Sequence, residues 1–339
     1  MNPTRRLLPI IALSAASALV LAGCAGASPG GEESAGEGRL QVVASTNVYG
    51  QIAEEIGGDA VDVSSIITST GQDPHSFEAT AGDQLTVSRA DLIIENGGGY
   101  DSFMESLVES SEASAHVITA AEFSHDWPGN EHSDEEHSED EEHSEEEHAE
   151  DDHAEDDHSG HDHIKGFNEH VWYDPHTIEH VAEAIAEELS ELDPANSETF
   201  ETNAAAFVEQ IEGLEASLGE IEASAAGADV FVTEPVPVYL IAAAGLVNVT
   251  PEAFSEAVEE GQDVPPATLL ESLDLIESGT VRVVIANSQT GGAETTQVLE
   301  AAEGQNIPVL EFSETLPEGQ TYISWMQQNI EALSGALAG

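Results

Sequence analysis

Between residues 197 and 223 the chain places Phe200, Phe207, Ile211, Leu214, Leu218 and Ile221 at steps of three, four and seven. That recurrence draws one apolar stripe along a long helix. The stretches on either side of it both alternate strands with helices, so the helix reads as a rigid connector. Ahead of it, residues 40–44, 61–67, 91–95 and 117–119 read as strands, with helices at 48–56, 81–89 and 101–109. Residues 175–192 form a further helix that stops at Asp193-Pro194. Beyond the connector, 230–233, 281–286 and 308–311 read as strands, and 238–244, 266–278, 294–302 and 321–337 as helices. Such alternation predicts an α/β protein with parallel sheets, built as two α/β lobes joined by the long helix. At 339 residues the chain has room for two domains. The expected division is a first lobe over 40–195, a connector over 196–224 and a second lobe over 225–339.

From about His125 to His163 the composition changes. His132, His137, His143, His148, His153 and His158 are separated each time by at least two acidic residues, and His161 and His163 follow. A degenerate step of five residues does not stay on one face of a helix, so this is no helical ligand stripe. Dense like charge with almost no apolar residues predicts a disordered insertion in the first lobe. Its histidines suit weak binding of several metal ions.

Lys+Arg is 6 against Asp+Glu 68, a formal net charge of -62. Nucleic acid and anionic surfaces are repelled by such a chain and cations attracted. Outside the tract the acidity reads as solubility or adaptation to salt. Arg5 and Arg6 precede an apolar run over 7–21, the pattern of an export signal ending at residue 23. Leu21-Ala22-Gly23-Cys24 resembles the cleavage and lipidation box of bacterial lipoproteins, and Cys24 is the one cysteine of the chain. Lipidation of Cys24 is the expectation, with 24–39 as a flexible tether.

The tract runs into Phe167-Asn168-Glu169-His170-Val171-Trp172-Tyr173-Asp174-Pro175. Asp174 caps a helix that Pro175 begins, so His170 sits on a short loop ahead of a fixed helix start. Gly97-Gly98-Gly99 ends in no Lys-Ser or Lys-Thr pair, so it is not a phosphate loop. His176 and His180 are four apart on a helix, a spacing that can grip zinc, but they read as a polar face. His116 and His125 receive no role.

Four segments occur together and in order: QDPHSFEAT around His75, FNEHVWYDP around His170, VTEP around Glu234, and FSETLPEGQTYISWMQQNIEAL around Glu314. With the His-rich insertion they resemble the metal-binding proteins of bacterial ABC importers, the zinc and manganese class called cluster A-I. The resemblance spans residues 40–337. It implies two α/β lobes with one metal ion between them, and two ligands from each lobe. Carried over, these are His75 and His170 from the first lobe and Glu234 and Glu314 from the second. Glu311 is the alternative to Glu314, because the family usually has Asp in this region. Strand ends are where open α/β sheets build sites, and three of the four follow a strand. Two imidazoles and two carboxylates suit zinc or manganese.

The resemblance implies a monomeric, lipid-anchored receptor on the outer face of the cytoplasmic membrane. It would capture zinc and pass it to a permease, with the ATPase on a separate chain. Manganese or iron is the alternative cargo, and a surface metal buffer or adhesin is the alternative of another class. A metallohydrolase needs an open coordination position and a general base, and no HExxH is present. The chain is therefore not expected to be an enzyme.

Overall fold

The computed structural model describes residues 38–111, 113–130, 164 and 166–339. The first half runs β1 (Leu40–Thr46), α1 (Asn47–Gly57), β2 (Val61–Ile67), α2 (Ala81–Val87), β3 (Leu92–Glu95), α3 (Ser102–Ser111) and β4 (His116–Thr119). Then come α4 (Pro175–Leu192) and α5 (Ser197–Ala225). The second half begins with β5 (Asp229–Val232), α6 (Val238–Ala243), β6 (Val247–Asn248) and α7 (Glu252–Glu259). It closes with α8 (Pro266–Glu277), β7 (Val283–Asn287), α9 (Ala293–Gln305), β8 (Val309–Phe312) and α10 (Tyr322–Leu337).

The strands form two parallel sheets, ordered β2-β1-β3-β4 and β6-β5-β7-β8. Each sheet repeats the same permutation, so each has its order reversal between its first and third strands. Crevices open there at the carboxyl ends, and loops from those ends can carry ligands. Strand pleating sorts the core. Val42, Ala44, Leu92 and Ile94 enter one continuous cluster, while Val43 and Ile93 point into a separate outer cluster. In the second sheet Val230, Val232, Val283 and Ile285 join the same continuous cluster, and Phe231 and Val284 face an outer one. Both sheets are covered on both faces, as parallel sheets require.

Every member of the apolar stripe on α5 is buried, from Phe200 to Ile221, and all belong to the continuous cluster. α5 packs against α4, α1, α6 and α10. α10 also touches α1, so the last helix of the chain reaches back to the first. Polar ties add direction to this packing. Asn47 Nδ2 donates to Leu316 O at 2.8 Å while Leu316 N–H donates to Asn47 Oδ1 at 3.0 Å. Tyr322 Oη donates to Trp172 O at 2.8 Å, and Tyr173 Oη to Ser313 O at 2.7 Å.

The expected helices and strands are present with small shifts at their ends. β6 and α7 are additional. β6 has two residues and is too short for alternation to register, and α7 offers only Phe254 and Val258 as large apolar anchors among acids. Among the described residues no helix is long and apolar enough to cross a membrane.

Because the core is continuous through α5, one substitution there should weaken both lobes together. Phe207 is buried and packs near the Tyr322 ring. Phe207→Ala should cost roughly 3–5 kcal/mol in guanidinium unfolding of the metal-free protein, within a single transition. Two separated transitions, with only one displaced, would mean that the lobes do not share this core.

Candidate metal centre

His75 stands on the loop after β2. Its backbone N–H donates to Asp73 Oδ1 at 3.0 Å, which fixes the turn, and Ser76 Oγ donates to the other oxygen at 2.8 Å. The imidazole packs edge-on against Tyr100, centroids 4.9 Å apart. Tyr100 arrives by way of the triple glycine, whose φ values are +74°, +69° and +99°. A Cβ on Gly98 would stand 2.9 Å from Phe167 Cε1, so side chains are excluded there by space as well as by backbone. The glycines turn the chain from β3 into the cleft.

His170 is 1% exposed and immediately precedes the 3-10 turn Val171–Tyr173. Asn168 Oδ1 accepts its backbone N–H at 3.2 Å and lies 2.8 Å from its Nδ1. Asn168 Nδ2 donates to Pro235 O, so the Asn168 atom facing the ring is the oxygen. Nδ1 must then carry the proton, and Nε2 is the basic nitrogen turned to the cleft. Asp174 caps α4 by accepting His176 N–H, with Pro175 in the first turn. The expected loop-then-capped-helix geometry is the one found.

Glu314 follows β8 and is 1% exposed. Its Oε1 accepts from Asn287 Nδ2 at 2.6 Å and its Oε2 from Tyr100 Oη at 3.3 Å. Its backbone N–H donates to Gln289 Oε1 at 2.8 Å. Glu311, the alternative, lies on β8 and is exposed. Glu234 follows β5 and is buried; Asn287 Nδ2 donates to its Oε2 at 2.8 Å and the Thr290 hydroxyl to its Oε1. One amide thus bridges the two carboxylates.

Donor atoms of His75, His170 and Glu314 lie within 4.8 Å of one another. His75 Nε2 is 3.9 Å from Glu314 Oε2. Two donors at tetrahedral zinc distances would be roughly 3.4 Å apart, so an ion would draw them slightly inward. Glu234 is held beside this group through Asn287 rather than within it. The tract histidines His132 to His163 and Cys24 fall outside the described residues. Exposed His176 gathers with Glu179 and Glu215, a group separate from that of His75, His170 and Glu314.

Two further acids line the cleft that the sequence did not single out. Glu169 is buried, and Asn96 Nδ2 donates to its backbone carbonyl at 2.9 Å. Glu259, at the end of α7, brings Oε1 to 3.7 Å from His170 Nε2. Phe254 and Val258 at a four-residue step, closed by Gly261, were the available signal for α7. Nothing marks Glu259 among so many acids. Burial, then repulsion from Glu169, Glu234 and Glu314, pushes its pKa up to about 10. Burial, then Glu234, pushes Glu314 up to about 8, and burial raises Glu234. Such a cleft attracts a divalent cation, whose arrival relieves both repulsion and desolvation.

The arrangement is that of two parallel α/β layers with two histidines and a cluster of buried carboxylates brought together in one cleft. A family model described as the periplasmic component A of the zinc-uptake complex matches residues 42–336, and the chain belongs to that family. The manganese-binding lipoprotein MntA of Halalkalibacterium halodurans is 28% identical over 198 residues, covering 58% of this chain and 54% of that protein. The metal ABC transporter substrate-binding lipoprotein ScbA of Streptococcus cristatus is 26% identical over 321 residues, covering 89% of this chain and 90% of ScbA. The zinc-binding lipoprotein AdcA of Streptococcus pneumoniae is 26% identical over 304 residues, covering 88% of this chain. The match spans about half the length of MntA and of AdcA, 54% and 56%. The solved periplasmic zinc binding protein TroA of Treponema pallidum has the same fold, with a TM-score of 0.66 at 19% identity, covering 88% of this chain and 99% of TroA.

Glu314 gives a pH test. Its ordinary pKa is 4.5 and its folded value about 8, so the ion-free folded chain keeps a proton the unfolded chain has lost. That stability is complete below about 4.5 and is lost as pH rises through about 8. Tm in chelator should therefore fall across this window, more steeply in the parent than in Glu314→Gln. Near neutral pH, metal uptake should expel the proton, making the calorimetric enthalpy depend on the buffer's ionisation enthalpy. Equal pH slopes and a buffer-independent enthalpy would contradict the assignment.

Proposed function

We propose that this chain is the zinc-capturing receptor of an ABC importer, held outside the cytoplasmic membrane by a lipid on Cys24. The convergence of His75, His170 and Glu314 donors within 4.8 Å, in a buried cleft, carries the reading. Glu234 is the proposed fourth ligand, supplied from the strand end beside Asn287. The permease would receive the ion directly, and the ATPase would be another chain. The family consists of transport components and not of an enzyme class, which agrees with capture and release as the whole task.

Zinc is favoured because imidazole suits it better than it suits manganese, and because zinc outcompetes manganese at most nitrogen–oxygen sites. Manganese is the second reading, supported by the number of carboxylates around the two histidines. Metal content of the protein purified from its native host, without refolding, decides between them.

His75→Ala and His170→Ala should each abolish tight one-to-one binding, measured by competition with a chromophoric chelator. Glu314→Ala should do the same and Glu311→Ala should not. Loss in Glu311→Ala with Glu314→Ala unaffected would move that ligand from Glu314 to Glu311 on β8.

For the tract, the proposal is local enrichment of zinc by many weak ligands. Deleting residues 131–163 should lower total stoichiometry in calorimetry while the single tight site remains. If the tight site disappears with the tract, the tract supplies a ligand and the four-residue site is wrong.

A further inference from the structure

We propose that Glu259 is itself a metal ligand of the cleft, contributed by α7 in addition to the four residues named above. The inference rests on the reading of the cleft as a metal-capture site. Its side chain is only 10% exposed and its Oε1 lies 3.7 Å from His170 Nε2. That oxygen accepts no hydrogen bond among the described residues. A buried carboxylate oxygen without a donor is costly, and native folds seldom leave one unless something else meets it. A cation placed between Glu259 and His170 would meet it.

The geometry allows one ion to do so. Two donors each at zinc distance and 3.7 Å apart subtend roughly 120° at the ion, within the range of four- and five-coordinate zinc. Glu259 also groups with His75 and Glu169, all with donor atoms within 4.8 Å. That group and the His75, His170, Glu314 group have the His75 imidazole in common, which places Glu259 and Glu314 around one histidine. Glu314 and Glu234 are steadied by hydrogen bonds from Asn287, whereas Glu259 has no such partner at Oε1. It is therefore a carboxylate oriented by packing and left available for coordination.

The same residue faces a cavity of about 390 Å³, lined also by Glu169, Glu256 and Glu260. Glu256 and Glu260 are exposed. A hydrated cation in that cavity would find carboxylates in series from solvent to His170. Glu259, with Oε1 3.7 Å from His170 Nε2, can exchange a water of the incoming ion for its own oxygen.

The test uses the full chain carrying Glu259→Gln, with Glu259→Ala as a second variant. Zinc affinity is read by competition with a chromophoric chelator, and coordination by the visible absorption of the Co²⁺-loaded protein. Kd should rise roughly tenfold or more in both variants. The Co²⁺ band should change in position and intensity as one donor is lost. Metal-free Glu259→Gln should melt no lower than the parent, since the neutral amide fills the same space as the carboxyl group. An unchanged Co²⁺ spectrum with Kd within about twofold, in a variant that melts normally, overturns the inference. A parent chain that binds neither Zn²⁺ nor Mn²⁺ tightly would instead sink the capture reading itself.

Discussion

Four carboxylates and two imidazoles crowd one buried cleft, and their mutual repulsion is the constraint the rest of the fold must satisfy. Beyond the effect of burial, Glu169, Glu234 and Glu314 all push up the pKa of Glu259, and Glu234 does the same to Glu314. In the absence of an ion such a cluster favours protonation, opening or rearrangement. The protein counters with donors fixed from outside the cluster: Asn287 serves two carboxylates at once, Tyr100 and Thr290 one each. Neutral donors can hold an ionised carboxylate and still leave the net charge that attracts a cation. A lysine or arginine in Asn287's place would cancel the attraction that gives the cleft its use.

Those donors work only if both lobes hold them still. The continuous core through α5 makes that possible, since inward-facing residues of both sheets and the whole apolar stripe of α5 belong to it. Tyrosines set the spacing across the cleft: Tyr173 reaches Ser313, next to Glu314, and Tyr322 reaches the carbonyl of Trp172, close to His170. Tyr239 donates to Asn168 O at 2.9 Å, on the residue that fixes the His170 tautomer. The segments that carry His170 and Glu314 are thus tied in place by hydrogen bonds from bulky residues packed in the core. Such a site spends little entropy when the ion arrives.

Much of this was legible in the sequence because it depends on local pattern. The connector's stripe, the Asp174-Pro175 helix start and the strand alternation are short-range signals, and α4 begins and ends where its caps said. His75, His170 and Glu314 were reached through motif segments and then found together. Glu259 was not legible, for a physical reason. Its role comes from a distance of 3.7 Å to a residue 89 positions away, given by 259 − 170, and its own helix looks like any acidic surface turn. The same holds for Asn287 and Tyr100, ordinary polar residues until the sheets bring their loops together.

The spacing of the donors argues that binding tightens the cleft. His75 to Glu314 is 3.9 Å and His170 to Glu259 is 3.7 Å, both wider than the roughly 3.4 Å of a tetrahedral pair. Some donors must move inward by tenths of an ångström. Glu314 is held at both oxygens and at its backbone N–H, and His170 at Nδ1 and its backbone N–H. His75 belongs to a loop steadied at Asp73, and Glu259 to the end of a short helix packed on α8. The adjustment therefore falls on the β2–α2 loop and on α7 rather than on the core.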